Sequence, residues 1–212
     1  MSNPQPMTTA GSEMPSYRMM FPPGWVVQSA DEESERQLLA RARAKVKRLA
    51  RPDLDFALTA HIKSAFRQLR SQEGIAMYLP LDVEENAVLP MSMTASRLMD
   101  PLGLPLDARI TEIFRDHGGA FLGSDRKIVR WRRTQRKMEG LPGAVNEQIN
   151  YVIPVSGTGR RLGLLLSTSI LQDEQGTIDA ERLGLMIDLS DQIVGTFTWI
   201  SPQRGGDGLL SG

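Results

Sequence analysis

The sequence contains no cysteine, and only two histidines occur among its 212 residues. The absence of cysteine excludes disulfide scaffolds, thiolate metal sites and cysteine nucleophiles. Two histidines, His61 and His117, are too few for a histidine-rich metal centre. No apolar run approaches the roughly 18 residues of a membrane-spanning helix, so we predict no membrane span. The commonest thiol and metal chemistries are therefore excluded before any motif is considered.

Composition and length favour one folded domain between two short tails. Hydrophobic residues make up 41% of the chain and charged residues 24%, as in ordinary soluble domains. Residues 1–16 and 201–212 are rich in small residues and proline and carry too few large apolar side chains to fold. We expect both to be disordered, which leaves residues 17–200 as a single domain. Because no basic region followed by an apolar region opens the chain, we expect a cytoplasmic location.

Charge is balanced in total but unevenly distributed along the chain. The 25 basic residues equal the 25 acidic ones, which argues against a dedicated nucleic-acid coat protein. Two segments, residues 36–51 and 126–137, each contain seven basic residues and no acidic one. The first segment has a helical stripe without the aromatic anchors that favour a membrane surface. The second segment, which we call the basic strand, is the stronger candidate for a contact surface.

Hydrophobic periodicity predicts helices and strands along the whole central region. The helices begin after Ser29 or Asp31, after Asp53, at Asp107 and after Thr177 or Asp179. The predicted strands are two short pieces within 17–28, then 75–81, 87–96, 127–135, 145–155, 162–171 and 196–200. Strands joined by hairpins, with helices between the groups, predict an α+β fold. Its sheet is mainly antiparallel and covered by helices in an α/β/α sandwich.

Two residues of this pattern carry specific predictions. Pro90 lacks a backbone donor, so it places the strand over residues 87–96 near a sheet edge or a bulge. Gly74 follows the second helix and is suited to the left-handed position that ends many helices.

Several segments that resemble catalytic or binding motifs lack the context that the chemistry needs. Gly157–Arg161 has the glycines of a phosphate loop, but a strand follows instead of a helix, so we interpret it as a turn. Ser167–Ser169 has no nucleophile-elbow pattern around it. Neither Asp173–Glu174 nor the pair Asp188 and Asp191 has the spacing of a calcium loop, so we interpret them as solvated acids. No cofactor and no metal is predicted.

The basic strand supports two interpretations. Arg130, Arg132 and Arg136 share one face of a strand, with Trp131 on the other, and this set can hold phosphates or stack on bases. Alternatively, the guanidinium groups pair with acids on a neighbouring strand, such as Glu147 across the following turn. We favour the second interpretation. If the first interpretation holds, the candidate anion or partner contacts are Arg130, Trp131, Arg132 and Arg136.

Three segments together resemble the PsbP/Mog1-like family. Phe21–Trp25 is similar to its opening strand, Arg133–Tyr151 with Gly159–Ser169 to its paired late strands, and Gln192–Phe197 to its last helix and strand. Residues 31–74 depart from the family pattern because they form two long successive helices. The resemblance implies an α/β/α sandwich of binding and assembly factors that are generally not enzymes.

Ala50–Ser96 additionally resembles uncharacterised proteins of high-G+C Gram-positive bacteria, some of which are associated with type VII secretion loci. We therefore predict a non-catalytic protein-binding or assembly-accessory domain, associated with secretion, whose partner is another protein. The alternative is a binder of nucleic acid or an anionic ligand through the basic strand, residues 126–137. An enzyme with a site made only of carboxylates is the third hypothesis, and we expect no enzymatic activity.

Overall fold

The computed structural model describes residues 14–48, 52–82, 89–136, 143–173 and 178–200. Nine strands and four helices occur in these ranges. The strands are β1 (Tyr17–Arg18), β2 (Trp25–Ser29), β3 (Gly74–Pro80), β4 (Met91–Met99), β5 (Ala120–Leu122), β6 (Ile128–Gln135), β7 (Ala144–Pro154), β8 (Leu162–Asp173) and β9 (Thr198–Trp199). The helices are α1 (Glu32–Arg48), α2 (Pro52–Ser71), α3 (Asp107–Asp116) and α4 (Ala180–Gly195).

One antiparallel sheet of seven strands organises the fold, in the order β2-β3-β4-β8-β7-β6-β5. The predicted hairpin between β7 and β8 is confirmed, and it turns through glycines at positive φ, Gly157 and Gly159. A second, two-stranded sheet pairs Tyr17 with Trp199, so the first and last described strands lie side by side. The predicted α+β class with a mainly antiparallel sheet is confirmed.

Side-chain alternation along β7 assigns one helix to each face of the sheet. Ile149, Tyr151 and Ile153 belong to the main core, into which α4 inserts Met186 and Ile193. The opposite face of the same strands forms a second, smaller core with α3. Its buried members are Leu98, Leu106, Ile110, Ile113, Val129 and Val152. Helices therefore cover both faces, as the predicted α/β/α sandwich requires.

The first two helices form an antiparallel hairpin beside β2 and β3. Asp31 caps α1, because its Oδ1 accepts a hydrogen bond from the Ser34 amide at 2.7 Å. Arg70, in the last turn of α2, donates to Glu35 in the first turn of α1 at 2.8 Å. This ion pair joins the start of one helix to the end of the other and fixes their antiparallel arrangement.

The end of α2 differs from the sequence prediction. Glu73, not Gly74, takes the left-handed conformation, with a φ of 52°. Gly74 is instead the first residue of β3 and lies against Leu69. A Cβ atom on Gly74 would lie 2.3 Å from the Leu69 Cγ atom and 2.5 Å from its carbonyl oxygen. Glycine is therefore needed here for close approach of the backbone and not for its φ angle.

The edge position predicted from Pro90 is wrong, and the register shift in the pairing of β3 with β4 lies at Gly74 and Ala76, opposite the other end of β4. The strand that follows it, β4, lies in the interior of the sheet between β3 and β8. Pro90 stands just before the strand, where its missing N–H removes no ladder bond, and its carbonyl accepts from the Leu171 amide at 2.9 Å. The predicted strand began at residue 87, and residues 83–88 lie outside the described ranges.

The described structure begins within the segment expected to be an N-terminal tail. Met14 is buried, and the Ser16 carbonyl accepts a hydrogen bond from Ile200 at 2.8 Å. The packed region therefore includes residues 14–16, while residues 1–13 and 201–212 lie outside the described ranges. Within the part of the chain that is described, no helix is long and apolar enough to cross a bilayer.

Candidate partner-binding strand

The basic strand, observed as β6, has a different neighbour on each side. Along one side, β7 pairs with it from Val129 to Gln135. Along the other side, β5 pairs with residues 128–130 only. We call residues 128–130 the covered half and residues 131–135 the uncovered half. Among the described residues, no strand pairs with the outer side of the uncovered half.

The covered half ends at Arg130, whose side chain is held beneath α4. The Arg130 Nε donates to Asp191 Oδ1 at 2.7 Å, and the Tyr151 hydroxyl donates to the same oxygen at 2.7 Å. Ser190 Oγ lies 2.7 Å from the Tyr151 hydroxyl and 2.7 Å from Thr168 Oγ1. The network joins β6, β7, β8 and α4, so it fixes the helix on the sheet.

The environment of this network shifts the protonation of two of its members. Burial is the main reason that the pKa of Tyr151 lies well above its ordinary value, and the adjacent Asp191 carboxylate raises it further. Burial alone would lower the pKa of Arg130, but the hydrogen bond to Asp191 and its charge outweigh burial and raise it. The network is therefore built around a neutral phenol and a fixed ion pair, and its groups are satisfied internally.

The next arginine on the same face is only partly engaged. Arg132 NH2 lies 3.6 Å from Glu147 Oε2, and the Arg132 side chain remains 46% exposed. Glu147 is largely buried and also accepts a hydrogen bond from the Thr134 hydroxyl at 2.7 Å. The interpretation that the strand's arginines pair with acids on a neighbour, including Glu147, is therefore confirmed for Arg132.

Two further cations of the basic strand, Arg133 and Arg136, are exposed and lack an acidic partner among the described residues. Arg133 lies on the opposite face from Arg132, and Arg136 follows the end of the strand. The described salt bridges include neither residue. Trp131 is half-buried because it packs against the smaller core under α3. Its ring is therefore part of the fold.

The structure separates the predicted contact residues into two groups. Arg130 and Trp131 are used inside the molecule, whereas Arg132 and Arg136 stand at the surface. Arg133 joins the exposed group, although the sequence analysis placed it on the other face. Alternation along the strand places Arg133 on the face opposite Arg132.

The other motifs considered from the sequence have structural roles. Thr168 is fully buried in the network, and Ser167 donates to the Asn150 side chain at 2.8 Å. The segment at residues 157–161 is a turn between β7 and β8, as predicted. The interpretation of Asp191 as a solvated acid is wrong, because it faces the sheet and binds Arg130. No group of three potential metal ligands occurs in the described ranges.

Comparison with known proteins gives a structural likeness only. No protein-family model matches the chain, and no curated protein matches its sequence. The chain is similar to the solved structure of a point mutant of the protein Mog1, with 12% identity over 94% of this chain and 97% of that one. It is also similar to the Saccharomyces cerevisiae Ran-binding protein Mog1p, with 10% identity over 95% and 97%.

Both structures give a TM-score of 0.46. Both are Mog1 proteins. At this level of similarity neither structure assigns a partner to this chain.

Proposed function

We propose that the chain is a non-catalytic protein-binding domain whose contact surface is the uncovered half of β6 with Arg136. One observation carries the proposal: among the described residues, a sheet edge without a partner strand bears the exposed Arg133, with the exposed Arg136 just beyond it, and neither has an acidic partner there. An exposed strand edge is a template for another chain. The arginines make an acidic protein surface the complementary partner.

The proposal of a protein partner is supported over a nucleic acid by the position of the aromatic residue. Single-stranded nucleic acid is held by bases stacked on exposed rings beside a basic groove. Trp131, the aromatic residue of the strand, is instead partly buried against the smaller core under α3.

A non-catalytic role is supported by the use that the fold makes of its hydroxyl groups. Thr168 and Ser190 are fully buried and bonded to each other, so neither is accessible to a substrate. The expected association with secretion depends on the resemblance of residues 50–96 alone. The proposal uses this resemblance only to suggest secretion-associated proteins as candidate partners.

The test compares two charge-reversal variants of the full chain. Arg133→Glu with Arg136→Glu changes the proposed surface, and Arg109→Glu with Arg161→Glu makes the same charge change at exposed arginines on α3 and the β7–β8 turn. The probes are a fluorescent glutamate-rich peptide and an oligothymidylate, measured by anisotropy at low and moderate salt. We expect the peptide to bind the wild type and the control variant about tenfold more tightly than the first variant.

Two results would contradict the proposal. If the oligothymidylate binds the wild type more tightly than the peptide and the first variant loses that binding, the basic strand is a nucleic-acid site. If both variants bind the peptide equally well, or the wild type does not bind it at low salt, the contact surface is elsewhere.

A further inference from the structure

We infer that the uncovered half of β6 binds its partner by strand addition. The partner segment is extended and carries acidic side chains at two successive positions. This inference rests on the proposed function and specifies both the binding mode and the chemistry of the partner. The juxtaposition that carries it is an unpaired strand edge with arginines projecting to both faces of the sheet.

The backbone argument starts from the short length of β5. Leu122 pairs with Ile128 and Ala120 with Arg130, and the ladder goes no further along β6. In a strand, the backbone groups of alternate residues point to opposite sides. Along residues 131–135, the backbone groups that point toward β7, the inner set, bond to that strand. The groups that point away from β7 are the outer set. Among the described residues, no backbone group bonds to the outer set of residues 131–134, which is therefore open to a further strand.

The side-chain argument gives the partner's sequence pattern. Arg132 projects to the α4 face of the sheet and Arg133 to the α3 face, because successive residues of a strand alternate. An added strand places its own successive side chains beside these two positions, at about 5 Å between Cβ atoms of a directly opposed pair. Two adjacent acidic residues in the partner therefore each face an arginine.

The same charges exclude a second copy of this strand as the occupant. If two copies paired along this edge, basic side chains would lie opposite basic side chains, and like charges directly opposed are destabilising. Basic residues on an edge strand are a common protection against such self-association. The charges thus disfavour pairing with a second copy of this strand and favour pairing with an acidic strand.

The test uses a synthetic peptide of sequence Thr-Val-Thr-Glu-Glu-Thr-Val-Thr and the full-length protein. Two modified peptides carry backbone N-methyl groups on alternate residues, one on the odd positions and one on the even positions. In an added strand, one set of N–H groups faces β6 and the other faces away. We therefore expect one modified peptide to lose at least about tenfold in affinity while the other stays within about twofold, measured by calorimetry.

The outcomes separate the binding mode from the proposed function. If both modified peptides bind as the parent peptide does, or both lose affinity equally, strand addition is wrong. The proposed function still stands in that case if Arg133→Glu with Arg136→Glu weakens binding of the parent peptide. If the parent peptide does not bind the wild-type protein at low salt, the contact surface itself is wrong and the inference fails with it.

Discussion

The two halves of β6 contain the same residue type in opposite roles. In the covered half, Arg130 is 22% exposed and bonded to Asp191. In the uncovered half, Arg133 is exposed and has no acidic partner among the described residues. The two residues lie three positions apart on one strand, and the neighbouring strand β5 ends between them. The packing of α4 on the sheet, not the local composition, supplies Asp191 to Arg130, whereas no described residue supplies an acid to Arg133.

The difference follows from what each environment requires of a charge. A partly buried guanidinium needs a carboxylate and further hydrogen bonds, which Asp191 and its neighbours supply. A solvated guanidinium needs no carboxylate from the fold, and its N–H donors are available to another molecule. Substitutions in the covered half should therefore lower stability, and substitutions in the uncovered half should lower binding.

The largest expected effect is on stability, from Asp191→Ala. This change leaves Arg130 without its carboxylate and removes the acceptor of the Tyr151 hydroxyl. We expect the free energy of unfolding to fall by about 2 kcal/mol, less than for a fully buried pair because solvent reaches the site. Urea denaturation measures it. Asp188→Ala, at an exposed acid of the same helix, should change stability by less than about 0.5 kcal/mol. Equal effects of the two variants would contradict the distinction.

High pH should destabilise the protein through its buried tyrosines. Burial raises the pKa of Tyr17 from 10.0 to about 12, although its hydrogen bond with Tyr78 opposes the shift. The folded state therefore keeps a proton that the unfolded state releases. This contribution is complete below pH 10.0 and is lost as the pH rises toward about 12. The free energy of unfolding, measured by urea at a series of pH values, should fall across this range. Tyr17→Phe should make the fall shallower, and an unchanged slope would refute the assignment.

The fold could be predicted from the sequence wherever the signal is local. Helical periodicity located the starts of α1 and α4 and left two candidate caps for each, Ser29 or Asp31 and Thr177 or Asp179. Asp31 and Asp179 cap their helices. Strand β5 was missed, because three residues are too short for alternation to show. The central place of β4 was also missed, since its neighbour β8 lies far along the chain and only tertiary packing brings them together.

In the candidate site, too, contacts between neighbouring strands were predictable from the sequence, whereas contacts that depend on tertiary packing were not. The contact between Arg132 and Glu147 was predictable because hairpin strands place nearby residues opposite each other. The bond between Arg130 and Asp191 was not, because the residues are 61 positions apart and meet only when α4 packs on the sheet. The same packing turns Asp191 inward while Asp188, one turn earlier, stays exposed.

One substitution made at two positions tests the comparison directly. Arg130→Gln should lower the free energy of unfolding by about 1 kcal/mol and leave affinity for the glutamate-containing peptide unchanged within about twofold. Arg133→Gln should leave stability within about 0.5 kcal/mol and weaken peptide binding about threefold. Urea denaturation and calorimetry of both variants give the four values. If Arg130→Gln weakens binding as much as Arg133→Gln does, the two halves of β6 do not differ in role.

The smallest expected effect is a gain in binding from Glu147→Gln. The change keeps the shape of the side chain and an acceptor for Thr134, but it removes the carboxylate beside Arg132. Arg132 is then available to an acidic partner, and we expect affinity for the peptide to rise about twofold. Calorimetry at low salt measures the change. A fall in affinity without loss of stability would show that Glu147 assists binding.

Amide hydrogen exchange along β6, with and without the glutamate-containing peptide, tests the central claim most directly. We predict that the amides of residues 131–134 that point away from β7 exchange quickly in the free protein and become protected when the peptide binds. The amides of residues 128–130 should be protected in both states, because β5 and β7 already bond to this half. Binding of the peptide without new protection at residues 131–134 would contradict the claim that this edge receives a partner strand.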